Sequence, residues 1–366
     1  MEKNSTEKIE IPFYNSTTYE SSSTDLFSFK YEYNKKLMMF EQKPDSNVKD
    51  LLQKSYSEGS ILEGSLSKES GNVYFKLFIN FLKKHIKQFK NKAILEIGYG
   101  NGSVLKYIED KEPCLLFGIE PGNNNFASTR AKLINDFFPS ESLSKIKFDL
   151  IYTFGVVEHI NNPVKFINSQ LNHLKDKAGI IVFAIPNCQP NYDSNDISMF
   201  TFEHFNYFKE NSIISIVNES NGYLVEYEKV HGMFFVAVSN TFIKQKPITI
   251  NDFFKPNEFQ LNQSIKIKKL KLLLSKYENQ NIAIYVPLRA INYFTQIKSD
   301  NVRIVDDSSF FHRKKIPFFT RNVENFTDLI KDPPKLILIF SKTFGLQIKE
   351  RIEKNSLLKQ CETVIF

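Results

Sequence analysis

Three glycines at alternating positions, Gly98, Gly100 and Gly102, follow a short apolar run in the segment AILEIGYGNGSVLKYI. Glycine there lets the chain take positive φ and brings bare backbone close to a ligand. The spacing is GxGxG, whereas the dinucleotide fingerprint GxGxxG places its third glycine one residue later. Glu96 stands just before the turn. Glu120 ends a second apolar run, FGIEPG, 24 residues further on. A carboxylate at such a tip can accept both hydroxyls of a ribose, so the turn and the acidic tip together suit a nucleoside-type ligand. A second group of candidates lies in DISMFTFEHFNYF, where Glu203 and His204 sit among aromatics. A neutral imidazole has its ordinary pKa near working pH and suits a general base. Glu203 can orient it or meet a substrate hydroxyl; equally, the segment can simply lead into a helix that covers the substrate. Glu158 and His159 form another adjacent pair in FGVVEHINNP, readable as an acid–base dyad or, preferably for His159, as a loop-shaping element. Tyr56, in LLQKSYSEGSILEGS, reads equally as a ligand contact or a surface aromatic.

These residues need a rigid frame, and the chain offers alternating strands and helices. Tyr74, Phe75, Leu77, Phe78, Phe81, Leu82 and Ile86 follow helical spacing over residues 73–89. Strands are predicted at 93–97, 115–119, 149–153 and 179–184, and helices from 103 and over 127–134 and 164–174. This rhythm specifies a parallel sheet covered by helices. A helix over 212–218 and strands near 224–230 and 233–238 close the unit. A linker at about 244–256 precedes the basic amphipathic segment SIKIKKLKLLLSKYEN, whose lysines read as the wet face of a connecting helix. The alternation then restarts: strands at 282–286, 303–305 and 336–340, with helices at 290–296 and 326–330.

The strand–loop–helix FDLIYTFGVVEHINNPVKFI has the pattern fDxIxxxxVLEHxxxP. With the glycine turn and Glu120, it resembles class I S-adenosylmethionine-dependent methyltransferases over residues 92–239. The resemblance implies an α/β fold: a Rossmann-like seven-stranded methyltransferase sheet plus a smaller C-terminal α/β Rossmann-like domain. It implies S-adenosylmethionine as methyl donor and S-adenosylhomocysteine as product. Glu96 then organises the donor's amino group, the helix N-terminus meets its carboxylate, and Glu120 holds the ribose. Asn135, Asp136 and Phe137 fall where the family often contacts adenine. Within the class, KVHGMFFVAVSN, with His231–Gly232, and DISMFTFEHFNYF resemble segments of deoxysugar (nucleotide-sugar) C-methyltransferases, as does the restarted α/β pattern at the C-terminus.

Departures from that group are concrete. Its N-terminal zinc module is cysteine-rich, whereas the first 113 residues here hold no cysteine, so no metal is expected. Thr201 and Phe202 replace its Tyr-His, an arginine after His231–Gly232 is lost, and the C-terminal turn Pro287-Leu288-Arg289-Ala290 lacks glycine. His204, Glu203 and Tyr56 are the catalytic candidates. Removal of a proton beside a ketone would give C-methylation and removal of a hydroxyl proton O-methylation, and the sequence does not choose. The expected reaction is methyl transfer to a nucleotide-linked sugar or glycan precursor. The alternatives are another small molecule or a protein as acceptor, or an inactive donor-binding scaffold.

Bulk properties narrow the partners. The 366 residues carry 48 basic and 41 acidic side chains, a net +7 that is scattered along the chain, unlike the concentrated footprint of a nucleic-acid binder. Cys114, Cys188 and Cys361 form no CxxC pair and suit a reducing compartment. No run of 18 apolar residues and no apolar leader occur, so no membrane span is expected and the default location is cytoplasmic. Four segments are expected: 1–50, an N-terminal stretch; 51–243, the donor-binding domain; 244–279, linker and amphipathic helix; and 280–366, the C-terminal α/β domain. Oligomeric state is not legible.

Overall fold

The structure, a computed structural model, describes residues 6–13, 25–57, 69–122, 130–175, 179–241, 252–342 and 344–366. Strands β1 (Glu7–Pro12), β2 (Leu26–Asn34) and β3 (Met39–Gln42) precede helices α1 (Ser46–Ser57) and α2 (Glu69–His85). The alternation then runs β4 (Ala93–Ile97), α3 (Ser103–Lys111), β5 (Leu115–Ile119), β6 (Lys132–Ile134), β7 (Leu150–Phe154), α4 (Pro163–Asn172) and β8 (Ile180–Pro186). Next come α5 (Gln189–Asp193), β9 (Asn206–Tyr207), α6 (Glu210–Glu219) and the hairpin β10 (Tyr223–Val230) and β11 (Met233–Ser239). The C-terminal part comprises α7 (Pro256–Lys276), β12 (Ile282–Tyr285), α8 (Pro287–Ile297), β13 (Arg303–Val305) and β14 (Val323–Glu324). It ends with α9 (Phe326–Lys331), β15 (Leu336–Ile339), α10 (Gly345–Lys354) and β16 (Glu362–Ile365).

In space the chain forms two compact units that do not follow its linear order. One consists of Glu32–Gln189 and Glu203–Phe253, the other of Met1–Tyr31, Pro190–Phe202 and Phe254–Phe366. The first is built on a sheet that, among the described residues, has seven strands in the order β10-β11-β8-β7-β4-β5-β6. Strands β4 to β8 run parallel and β11 lies antiparallel to both β8 and β10. Every residue of β4 is buried, as a central parallel strand covered on both faces requires. Ala93, Leu95 and Ile97 enter one core with Ile151 and Phe183, while Ile94 faces the opposite core with Tyr152 and Val182. This is the period-2 alternation of a strand. Glu96 shares the Ile94 face, and register sets Gly118 of β5 on one side of it and Tyr152 of β7 on the other.

The helix expected over 127–134 is corrected in part. Lys132–Ile134 is strand β6, paired parallel to Phe117–Ile119, and residues 123–129 lie outside the described residues. A three-residue edge strand carries too few positions for a period to show, and its backbone is fixed by β5 and not by its own pattern. The linker expected at 244–256 falls largely outside the described residues. The helix after it starts earlier than expected, at Pro256, where proline suits the first helical turn.

The second unit holds a five-stranded parallel sheet, β14-β13-β12-β15-β16, around Ala283, Tyr285, Val305, Ile337 and Ile339. Within this unit β1 pairs antiparallel with β2, Ile9 opposite Phe29. The segment before Phe202 is tied to α8: Asn292 donates to the carbonyls of Ile197 (2.7 Å) and Phe200 (2.8 Å), and the Tyr293 hydroxyl to Asp196 (2.8 Å).

At the entry to β7, Asp149 accepts the Ala93 N–H at 2.8 Å and ion pairs with Lys175 at 2.6 Å and Lys92 at 3.3 Å. It joins the two strands that carry the site. Asp149→Ala strands a buried N–H and is expected to cost about 1–3 kcal/mol, read as a lower urea midpoint at unchanged slope.

Candidate active site

The glycine turn links β4 to α3 over the carboxyl ends of the parallel strands, where ligands of open α/β sheets bind. Gly98 has φ 73° and Gly100 φ 48°. A Cβ on Gly98 would lie 2.5 Å from a Val156 methyl, so this position is closed to larger residues. A Cβ on Gly100 would meet nothing within 4 Å and would point into open space. Gly102, also left-handed, is the N-cap of α3 and provides no side-chain cap; the Ser103 N–H is taken by Asn101 Oδ1 at 3.1 Å and the Leu105 N–H by the Glu96 carboxyl.

Two carboxylates flank the turn. Glu96 is 3% exposed, and the Tyr152 hydroxyl donates to it at 2.9 Å. Burial pushes its carboxyl up to about 8; the Glu120 charge adds to the rise and the Tyr152 bond opposes it. Glu120 receives N–H bonds from Gly122 at 3.0 Å and Gly100 at 3.3 Å. Burial raises its pKa while these two bonds pull it down. Asn135 braces this tip by donating to the carbonyls of Gly122 (3.1 Å) and Pro121 (3.3 Å). Asp136 accepts the Phe137 N–H at 2.8 Å, and the Phe137 ring is 51% exposed just past β6. The structure therefore assembles Glu96, Gly98, Gly100, Gly102 and Glu120, and leaves Asp136 and Phe137 at the surface nearby in sequence to β6. Tyr56 lies in α1, with its side chain outside the described residues.

The two Glu–His pairs, read separately from sequence, meet. Glu158 and His159 occupy a single 3-10 turn after β7. Phe205 N–H bonds the Glu158 carbonyl at 2.7 Å, and the Asn206 amide bonds the Ile160 carbonyl at 2.7 Å. His159 Nδ1 lies 2.6 Å from the Glu203 carbonyl. A carbonyl only accepts, so Nδ1 carries the proton and the lone pair lies on Nε2. The rings of His159 and His204 are 4.8 Å apart and nearly perpendicular, at 82°. Burial lowers His159 to about 4, against the Glu203 carbonyl bond, so its ring is neutral at neutral pH. Burial raises Glu158 to about 8 and Glu203 to about 7. Sequence reasoning missed the Glu96–Tyr152 bond, although β-register between two motifs it had already marked would have found it.

S-adenosylmethionine fits the first group of residues. An ammonium beside Glu96 would offset a buried carboxylate that has no cation of its own among its named contacts, and the open side of Gly100 admits a ligand. Comparison with known proteins points to the same cofactor. Residues 71–227 match the protein family described as a methyltransferase domain. The tRNA U34 carboxymethyltransferase of Desulfotalea psychrophila is 28% identical over 121 residues, covering 30% of this chain and 38% of that protein. The enzyme of the same name from Sulfurimonas denitrificans is 30% identical over 114 residues, covering 28% and 37%. The chain thus spans well under half the length of these curated relatives. Among solved structures, the 1,6-didemethyltoxoflavin-N1-methyltransferase of Burkholderia thailandensis, with S-adenosylhomocysteine bound, is 10% identical. It covers 55% of this chain and 94% of that one at a TM-score of 0.38, too weak a likeness to add to the family match. Residues 71–227 are accordingly a class I S-adenosylmethionine-dependent methyltransferase domain with a Rossmann-like α/β fold, and S-adenosylmethionine is its cofactor. Among the described residues no helix is long and apolar enough to cross a membrane.

The raised carboxyls make the ligand-free fold sensitive to pH. The unfolded chain releases these protons above about 4.5, while the fold holds them to about 8 at Glu96 and Glu158. Stability contributed by each group is therefore full at low pH and is lost as pH rises through that window. The melting temperature of the ligand-free protein, relative to pH 5, is expected to fall by pH 8. Glu96→Gln should flatten that slope, and an unchanged slope in this variant would contradict the assignment.

Proposed function

We propose that this protein transfers a methyl group from S-adenosylmethionine to a small acceptor, a nucleotide-linked sugar or related glycan precursor, by C- or O-methylation. The observation that carries the methyl-transfer reading is the pair of carboxylates, buried Glu96 and half-buried Glu120, on either side of a glycine turn with one open face. Bound there, the donor supplies a methyl carbon made electrophilic by its sulfonium. Glu96 pairs with the donor's ammonium, and the lone pairs of Glu120 not used by Gly100 and Gly122 accept the ribose hydroxyls. The exposed Phe137 ring and Asp136 border the adenine. On the acceptor side His204 removes the proton from the nucleophile, Glu203 orients the acceptor, and Tyr56 contributes from α1. Alignment of the nucleophile with the carbon–sulfur bond and exclusion of water then carry much of the rate. Residues 51–243 provide the donor-binding module, residues 280–366 the smaller Rossmann-like unit, and the enzyme works in the cytoplasm.

A second reading follows from the names of the matched relatives, which act on tRNA U34. Their likeness is confined to about 120 residues in the donor-binding part, where methyltransferases with different acceptors share the same needs. The scattered charge also argues against a nucleic-acid surface, so the small acceptor is preferred.

Calorimetric titration of the purified chain with S-adenosylmethionine and S-adenosylhomocysteine tests the donor site. Saturable binding is expected, weakened about tenfold or more by Glu120→Ala, the loss of roughly 1.4 kcal/mol or more that two charge-assisted bonds represent. Entry of an ammonium beside Glu96 expels the proton held below about 8. Donor binding at pH 7 should therefore show heats that vary with the ionisation enthalpy of the buffer, and by pH 9 that variation should fade. A folded wild type that binds neither compound sinks the reading. Transfer of labelled methyl to sugar nucleotides rather than to tRNA decides the acceptor class.

A further inference from the structure

We propose that Glu158, His159 and His204 form a binding site for a divalent transition-metal cation on the acceptor side of the methyltransferase domain. One ligand atom from each residue lies within 4.8 Å of the others. Two imidazoles and one carboxylate are a donor set suited to Zn²⁺, Mn²⁺, Fe²⁺ or Co²⁺, and three protein ligands leave coordination positions open for an exogenous oxygen.

The arrangement is built, not a chance convergence of surface side chains. The backbone holds the two segments together through the Phe205 N–H on the Glu158 carbonyl and the Asn206 amide on the Ile160 carbonyl. His159 is oriented by its Nδ1–H on the Glu203 carbonyl, which places the lone pair on Nε2. Ligating histidines are held in just this way, by donation of the second ring N–H to a carbonyl or carboxylate. Glu158 supplies the independent observation. It is 2% exposed, and its Oε2 is buried with no hydrogen-bond partner. A buried carboxylate oxygen without a donor is costly, and a cation shared with two imidazoles satisfies it.

The site has a mechanistic consequence that rests on the methyltransferase reading. A cation and a proton compete for the lone pair of His204. Without the ion, His204 takes the acceptor's proton itself. With the ion, an acceptor hydroxyl in an open coordination position would be acidified by the cation and release its proton to solvent water, while His204 holds the cation in place. Binding of the ion does not depend on this consequence and is measured without turnover.

The test uses the full chain, stripped with a chelator and dialysed. Titration with Zn²⁺ and Mn²⁺ by calorimetry should give one site, and Co²⁺ should give visible absorption bands of a nitrogen–oxygen site. Glu158→Gln, which keeps shape and removes charge, and His204→Ala should each weaken binding about tenfold or more, whereas His312→Ala in the other unit should leave it unchanged. S-adenosylhomocysteine binding, measured on each variant, reports that the domain is folded. It also separates the two proposals, because loss of nucleoside binding with retained cation binding overturns only the donor reading. A wild type with no saturable cation binding, or undiminished binding in both Glu158→Gln and His204→Ala, overturns the metal site and leaves a hydrogen-bonded histidine pair.

Discussion

A carboxyl group buried at the end of a central strand has to be accommodated by its neighbours, because charge taken out of water is expensive unless something replaces the water. Glu96 imposes this constraint on the methyltransferase domain. Parallel pairing puts the Tyr152 hydroxyl on one side of it and the side-chain-free Gly118 on the other. The turn that follows aims the Gly100 N–H at a second carboxylate, Glu120, which the Gly122 N–H beyond β5 also holds. The result is a carboxyl-lined site, open at Gly100, in which burial keeps Glu96 protonated to about 8. The affinity for a cationic nucleoside proposed for it rests on the same burial that makes the ligand-free fold less stable as pH rises.

The acceptor side repeats the principle with different chemistry. Glu158 is as deeply buried as Glu96, but its neighbours are imidazoles. A ligand with an ammonium suits the first carboxylate. Two lone-pair donors beside a carboxylate suit a metal ion in the second. Both sites therefore use burial to raise the energy of a free carboxyl, and each gains from a cation that its surroundings select by donor type.

Local pattern made the donor site legible. Glu96, the three glycines and Glu120 lie on one strand–turn–helix–strand stretch, whereas the Tyr152 partner of Glu96 comes from outside it. The acceptor cluster was visible only as two separate Glu–His pairs. What joins them is pairing between the segments around 158–160 and 203–206, and no periodicity reports a contact at that separation. The same limit hid the makeup of the second unit. Strand β1, in which Ile9 and Ile11 alternate inward, read only as part of a polar stretch, since its partner β2 lies beyond residues 14–24. The C-terminal α10 and β16 were not anticipated; β16 gains its place by pairing with β15, and its residues are half-buried or, at Glu362, exposed. The seven-residue strand β8, buried on nearly every position, was plain from its apolar run.

Packing of Val156 against Gly98 connects the two sites. Val156 occupies the space that a Cβ on Gly98 would need, and it directly precedes the turn that carries Glu158 and His159. The glycine turn thus abuts the base of the Glu158–His159 cluster through the Val156 side chain. A larger residue at position 98 would have to move that side chain, and with it the turn, because interiors packed at crystal-like density have no slack to absorb a methyl group. Glycine at this position therefore serves two ends: it admits the left-handed turn over the donor, and it lets the acceptor-side segment approach closely enough for its histidine to face His204.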